Sequence, residues 1–115
     1  MTRLVVLVAL VVAIAGGLEL AHAESGLASW YGKESGRYTA SGARFNPEGP
    51  TCAMRTRRWR WVVVTDLATG RSARCYVNDY GPAAWTGRVI DVSHGVAGAL
   101  GFAGQGTARV EVVDQ

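Results

Sequence analysis

Cysteine, histidine and charge are all scarce in this sequence. Among 115 residues there are 2 cysteines, 2 histidines and 3 prolines, and only 18% of the chain is charged. Two cysteines and one distant histidine are thin material for a zinc site, so no metal and no cofactor are expected. Low charge beside 49% apolar residues excludes an intrinsically disordered chain. The length leaves room for one domain, and no repeat or interdomain linker divides it. No cysteine follows the N-terminal apolar run, so a lipid-modified N-terminus has no attachment residue. Fifteen glycines and many β-branched residues argue against a helical bundle.

What is present begins with a leader. Met1 to Arg3 gives a positive start, Leu4 to Ala15 is unbroken apolar, and Ala21-His22-Ala23 is the small-x-small pattern that signal peptidase accepts. The charge-free stretch from Leu4 to Leu18 is 15 residues long, short of the roughly 20 needed to cross a bilayer core. A secretory signal peptide is therefore expected over residues 1–23, with a mature domain over 24–115. That domain of 92 residues keeps a formal charge of +3, because Arg3 and Glu19 leave together, and His94 becomes its one histidine. It is expected to be secreted, extracellular or wall-associated, free of the membrane and monomeric. In an exported chain Cys52 and Cys75 are expected to pair. The bridge would close a loop of 24 residues, worth about 3 kcal/mol on the chain-entropy model.

The mature segments are short and punctuated by glycine. Leu27 to Tyr31 reads as a strand, followed by a long polar loop from Lys33 to Gly49. Trp61 to Thr65 is the clearest strand, and its three consecutive valines predict burial on both faces. Leu67 to Gly70 makes a turn, Arg71 to Val77 returns, and Asn78 to Pro82 is expected to turn again. Arg88 to Val92 is a further strand. Ser93 is placed to cap a short helix carrying Val96, Ala97 and Leu100 on one side and ending at Gly101. Thr107 to Val113 alternates, with Ala108, Val110 and Val112 on one face. Five or six short strands and one small helix predict a small β-barrel, whose closure protects strand edges.

Several blocks resemble one family. Ala28-Ser29-Trp30-Tyr31-Gly32, Gly36-Arg37-Tyr38-Thr39-Ala40-Ser41-Gly42-Ala43-Arg44-Phe45-Asn46, Asn78-Asp79-Tyr80-Gly81-Pro82 and Gly87-Arg88-Val89-Ile90-Asp91-Val92-Ser93 are similar, in order, to the rare-lipoprotein-A-like family. The resemblance implies an all-β fold, a six-stranded double-psi β-barrel with one or two short helices, more distantly like expansin and barwin domains. It also implies lytic transglycosylase activity on peptidoglycan strands. The family's glutamate position holds Ala43 here, its histidine position holds Met54, and its aspartate is kept as Asp79.

One carboxyl group suffices for such a reaction. The sugar's own 6-hydroxyl is the nucleophile, so a single residue can protonate the glycosidic oxygen and then take the hydroxyl proton. Asp79 is the candidate catalytic residue, with Asp91 as a candidate neighbouring charge or, more simply, a tie between its strand and the helix start. Thr39, Ser41, Asn46 and Asn78 are candidates to hydrogen-bond sugar hydroxyls. Tyr31, Trp59, Tyr80 and Trp85 are candidates to bind or stack on sugar rings, with Trp61 the likeliest of the tryptophans to be buried. Arg55, Arg57, Arg58 and Arg60 would attract anionic wall polymers rather than nucleic acid, which an exported protein seldom meets. Two alternatives stand beside the enzyme: a wall-polysaccharide-binding barrel without cleavage, and a secreted inhibitor of papain-like cysteine proteases.

Overall fold

The computed structural model describes residues 23–115. The expected leader lies outside these residues apart from Ala23. Six strands form a closed barrel: β1 (Ala23–Tyr31), β2 (Thr51–Met54), β3 (Arg60–Asp66), β4 (Ser72–Tyr80), β5 (Arg88–Ser93) and β6 (Thr107–Asp114). Around the barrel they run β1-β5-β2-β4-β3-β6. β1 pairs with β5 and β2 with β4 in parallel, and the other neighbours are antiparallel. This is the double-psi arrangement.

Local chemistry explains most of the elements. Asp66 ends β3 and folds the next turn, its Oδ1 accepting from the N–H groups of Ala68 and Thr69, with Gly70 at positive φ. Helix α1 (His94–Leu100) starts where Ser93 Oγ accepts from Val96 N at 3.1 Å, and stops at Gly101, whose φ is 90°. Val96, Ala97 and Leu100 are its buried residues. They reach a core of inward side chains from every strand, with Val62, Val64, Cys75, Val77, Ile90, Val92, Val110 and Phe102 all nearly sealed from solvent. Each such side chain contributes about 1.5–3 kcal/mol on leaving water. Cys52 and Cys75 are disulfide-bonded inside this core, on the paired strands β2 and β4.

Four expectations change. The valine run is buried on one face only: Val62 and Val64 point inward, while Val63 is half-buried. Trp61, expected to be buried, is 37% exposed, since it sits one residue out of phase with Val62. β2 carries no pattern that marks it in the sequence, and it is a strand because two neighbours pair with it. Asn78, Asp79 and Tyr80 belong to the end of β4 rather than to a turn, which begins at Gly81.

Candidate functional site

The barrel carries a second, smaller apolar cluster of Tyr31, Phe45 and Ala53. It lies on the outer face. On β2, Cys52 and Met54 belong to the main core, so Ala53 between them points outward. On β5, Ile90 and Val92 point inward and Asp91 outward, and on β1 Ala28 is inward while Ser29 and Tyr31 face out. β4 would break this pattern, because Asp79 lies two residues beyond the inward Val77. A bulge corrects it: Cys52 pairs with Val77 but Ala53 pairs with Asp79, which leaves Asn78 as the extra residue. Asp79 is thereby turned to the outer face.

The register then assembles one row across four strands. Ala53 pairs with Asp79 on one side and with Asp91 on the other, and Asp91 pairs with Ser29. Two carboxylates therefore flank an alanine, their Cα atoms about 10 Å apart, two strand spacings. Tyr31 lies along β1 from Ser29 on the same face, stacked on Phe45 with ring centroids 4.8 Å apart.

Asp79 is half-buried. Its Oδ1 accepts from Ala40 N and Tyr80 N, both at 2.9 Å, so it pins the long loop to β4 with one oxygen. The Ser41 N–H donates to the Asn78 carbonyl at 3.1 Å and docks the same loop a second time. Asp91 accepts from Ser29 Oγ at 2.9 Å, and Arg88 Nη1 donates to the same Ser29 oxygen. Asp91 thus ties β5 to β1. The expected tie to the helix start is made by Ser93 instead.

Charge on this face is crowded. Burial pushes the Asp91 carboxyl up; the Ser29 hydrogen bond and Arg88 pull it down, Asp79 and Glu34 push it up again, and the net is upward. Burial above all, then the charges of Asp79 and Asp91, hold the Tyr31 phenol well above its ordinary range. That hydroxyl is buried with the Asp79 carboxylate close by, and no partner meets it in hydrogen-bond geometry among the described residues. Asn78 Oδ1 is buried and unpartnered in the same way.

The other candidate residues divide. Thr39 is buried, its Oγ1 2.9 Å from Ser41 Oγ, and Ser41 is exposed beside it. Asn46 spends its Oδ1 on Glu48 N, shaping its own turn. Tyr80 is 52% exposed next to Asp79, with the Arg57 guanidinium 5.2 Å from its ring centroid. Trp85 is 88% exposed, in the short 3-10 turn Ala84–Thr86. Trp59 is half-buried and packs against the main core, and Trp61 lies under Arg74, 4.3 Å from its ring centroid. Residues not singled out for this face are Tyr38, exposed beside Thr39, and the Ser29–Arg88 pair. All three lie within the blocks quoted above, but that Ser29 and Arg88 meet is set by the pairing of β1 with β5, which no block states.

The arginine cluster is mostly spoken for. Arg58 and Arg60 both bind Asp114, at 2.7 and 2.9 Å. Arg55 donates to the carbonyls of Pro82 and Arg88. Of the family positions that differ, Ala43 is exposed, its carbonyl accepting from Thr39 and its N–H donating to Ser41 Oγ, while Met54 is buried in the core with Arg60 Nη2 3.9 Å from its sulfur. Neither side chain can carry a proton.

A closed double-psi barrel bearing an acidic outer face rimmed by aromatic rings defines the class of domain. The family follows from the sequence: the lytic transglycolase profile matches residues 23–112, and the chain belongs to that family. It is 46% identical to the probable endolytic peptidoglycan transglycosylase RlpA of Nostoc over 76% of this chain and 24% of the relative. It is 46% identical to the endolytic peptidoglycan transglycosylase RlpA of Pseudomonas aeruginosa over 76% and 26%, and 42% to that of Neisseria meningitidis over 77% and 38%. The chain thus spans well under half the length of these relatives. Among solved structures, the Streptomyces papain inhibitor superimposes with a TM-score of 0.64 at 18% identity, over 82% of this chain and 96% of that one. At that identity the likeness is one of fold.

Proposed function

We propose that this domain is a secreted wall protein that binds peptidoglycan glycan strands and cleaves them as a lytic transglycosylase, with Asp79 as the proton-transferring group. The observation that carries the reading is the placement of Asp79: half-buried on an outer face, one oxygen fixed by two backbone N–H groups, beside exposed Tyr80. The fixed oxygen orients the carboxyl, and the second oxygen meets the glycosidic oxygen, with the Tyr31 hydroxyl close to the carboxylate. Asp79 gives its proton to that oxygen as the bond to C1 breaks. The sugar's 6-hydroxyl closes on C1 and returns its proton to Asp79, so acid and base are regenerated in one turnover. Asp91, whose carboxyl burial pushes up, is the second carboxylate of the row. Tyr80 and Trp85 offer exposed ring faces to the glycan, and the exposed Ser41, on the loop docked to Asn78, offers it a hydroxyl.

Purified protein incubated with peptidoglycan is expected to release anhydro-ended fragments. Absence of such fragments from several wall preparations would end the enzymatic reading. A second reading then takes over, favoured by Ala43 and Met54 standing where the family carries acid-base side chains: a barrel that binds wall polysaccharide without cutting it. Retention on insoluble wall, lost on replacing Tyr80 and Trp85 by alanine, is its mark. Arg57, poised over Tyr80, is the member of the arginine cluster placed to meet an anionic wall polymer.

A further inference from the structure

Directly after Tyr31 the surface opens into a cleft of about 450 Å3, lined by Trp30, Lys33, Glu34, Pro47, Glu48 and His94. Asp79 does not line it, and nothing in the proposed reaction uses it. Both of its walls are held firmly. On one, the Gly32 N–H donates to Glu34 Oε1 at 3.0 Å, and Trp30 Nε1 donates to the Ala103 carbonyl at 3.0 Å. The Trp30 and His94 rings meet edge-on, with centroids 4.7 Å apart.

The other wall is locked onto the start of α1. Gly95 N donates to the Pro47 carbonyl at 3.0 Å, and Ser93 Oγ donates to the Gly49 carbonyl at 2.5 Å. Gly95 is required for this approach: a Cβ there would come within 2.3 Å of the Glu48 carbonyl oxygen. Asn46 Oδ1 fixes Glu48 N, and Glu48 Oε2 meets His94 Nδ1 at 2.7 Å. Glu48 uses Oε2 on His94, which leaves Oε1 for a ligand, while the Glu34 carboxylate turns back onto the backbone N–H groups of its own turn.

A surface turn tied down at four points is a preorganised wall, and a ligand pays little to order it. The volume falls within the roughly 300–1,000 Å3 typical of small-molecule sites. An indole beside carboxylate acceptors and an imidazole suits a ring with apolar faces and hydroxyl or amide hydrogens to donate. That is the chemistry of a hexosamine. Continuity ties it to the glycan strand: Tyr31 of the Asp79 face pairs with Ser93, and their chain neighbours Trp30, Gly32 and His94 line the cleft. The cleft therefore opens off the face that holds Asp79.

We infer that the Trp30–His94 cleft is a subsite for an N-acetylhexosamine residue of the glycan strand that crosses the Asp79 face, an inference that rests on the glycan reading above. The test titrates the protein with a soluble N-acetylglucosamine pentamer, following backbone and indole N–H signals by NMR. Signals of Trp30 Nε1, Gly32 and Gly95 are expected to shift together with those of Tyr80 and Ala40. Glu48→Gln and His94→Ala, both outside the proton-transfer machinery, are expected to weaken pentamer affinity by about five- to tenfold, the worth of one or two ordinary hydrogen bonds. Shifts confined to Tyr80 and Ala40 would overturn the subsite and leave the glycan reading standing. Shifts in the cleft with affinity unchanged in both variants would overturn the assignment of Glu48 and His94 as its contacts. No shift anywhere would overturn both readings.

Discussion

Asp79→Asn separates the chemical role of this residue from its structural one. The amide keeps an oxygen where Oδ1 lies, so the hydrogen bonds from Ala40 N and Tyr80 N, each 2.9 Å long, survive. Their strength falls, because a bond to a charged acceptor contributes about 1.5–3 kcal/mol and a neutral one about 1. Both bonds lie near solvent, which screens the difference, so the whole variant is expected to lose only about 1 kcal/mol of stability. Turnover behaves differently. The amide has no proton to give and cannot take one from the 6-hydroxyl, so both transfers fail and the rate is expected to fall by at least about 100-fold. Urea unfolding measures the first quantity, and chromatography of anhydro-ended fragments the second. A folded variant that keeps more than about a tenth of wild-type turnover, against the expected loss, would refute the assignment of Asp79 as the proton carrier. A variant that fails to fold would refute the claim that the two N–H bonds survive the change.

Four further outcomes follow from the geometry. Replacing Cys52 and Cys75 by alanine removes a bridge across a sequence separation of 23 and is expected to cost about 3 kcal/mol, or on the order of 15 °C in Tm for a domain this small; a loss in urea titration below about 1 kcal/mol would contradict it. Gly95→Ala drives a methyl group onto the Glu48 carbonyl, and a loss of about 1–3 kcal/mol is expected from the overpacking, read from the same titration. The raised Asp91 carboxyl favours the protonated form in the folded state. Its contribution to stability is therefore complete below the ordinary carboxylate range and is lost as pH rises through the raised midpoint. Asp91→Asn should flatten that part of the stability profile, and an unchanged slope would contradict the crowding of charge on this face. Asp114 has the opposite sign: partial burial pushes it up, but Arg58 and Arg60 outweigh burial and hold it low, so its share is lost as pH falls.

Wherever a single element settles its own form, the sequence was legible. The Ser93 cap, the Gly101 stop and the three buried residues of α1 need only the neighbouring turn. The alternation of β6 puts Val110 and Val112 inside with no help from elsewhere, and the short strands and paired cysteines already pointed to a small closed barrel. The ordered blocks around Asp79 carried the family. Trp61 and the valine run were misjudged because hydrophobicity does not report phase: a strand in a barrel wall has one inner face, and Trp61 falls on the other. The arginine cluster looked free because its partner, Asp114, lies more than 50 residues away in the chain.

The site itself was decided by pairing between distant strands. Asp79, Ala53, Asp91 and Ser29 come from four separate stretches, and only the register of β4, β2, β5 and β1 sets them in one row. Asp79 faces outward because a bulge inserts Asn78 opposite β2. A shift of one residue in that pairing would turn the carboxyl toward the apolar core, since side chains alternate between the two faces of a strand. Composition and local pattern thus determined that this chain closes a disulfide-stapled barrel and marked Asp79 as its candidate carboxylate, though in a turn rather than at the end of β4. Whether that aspartate meets solvent or core, and which second carboxylate stands beside it, depends on contacts between residues far apart in sequence, and the tertiary structure alone supplies those.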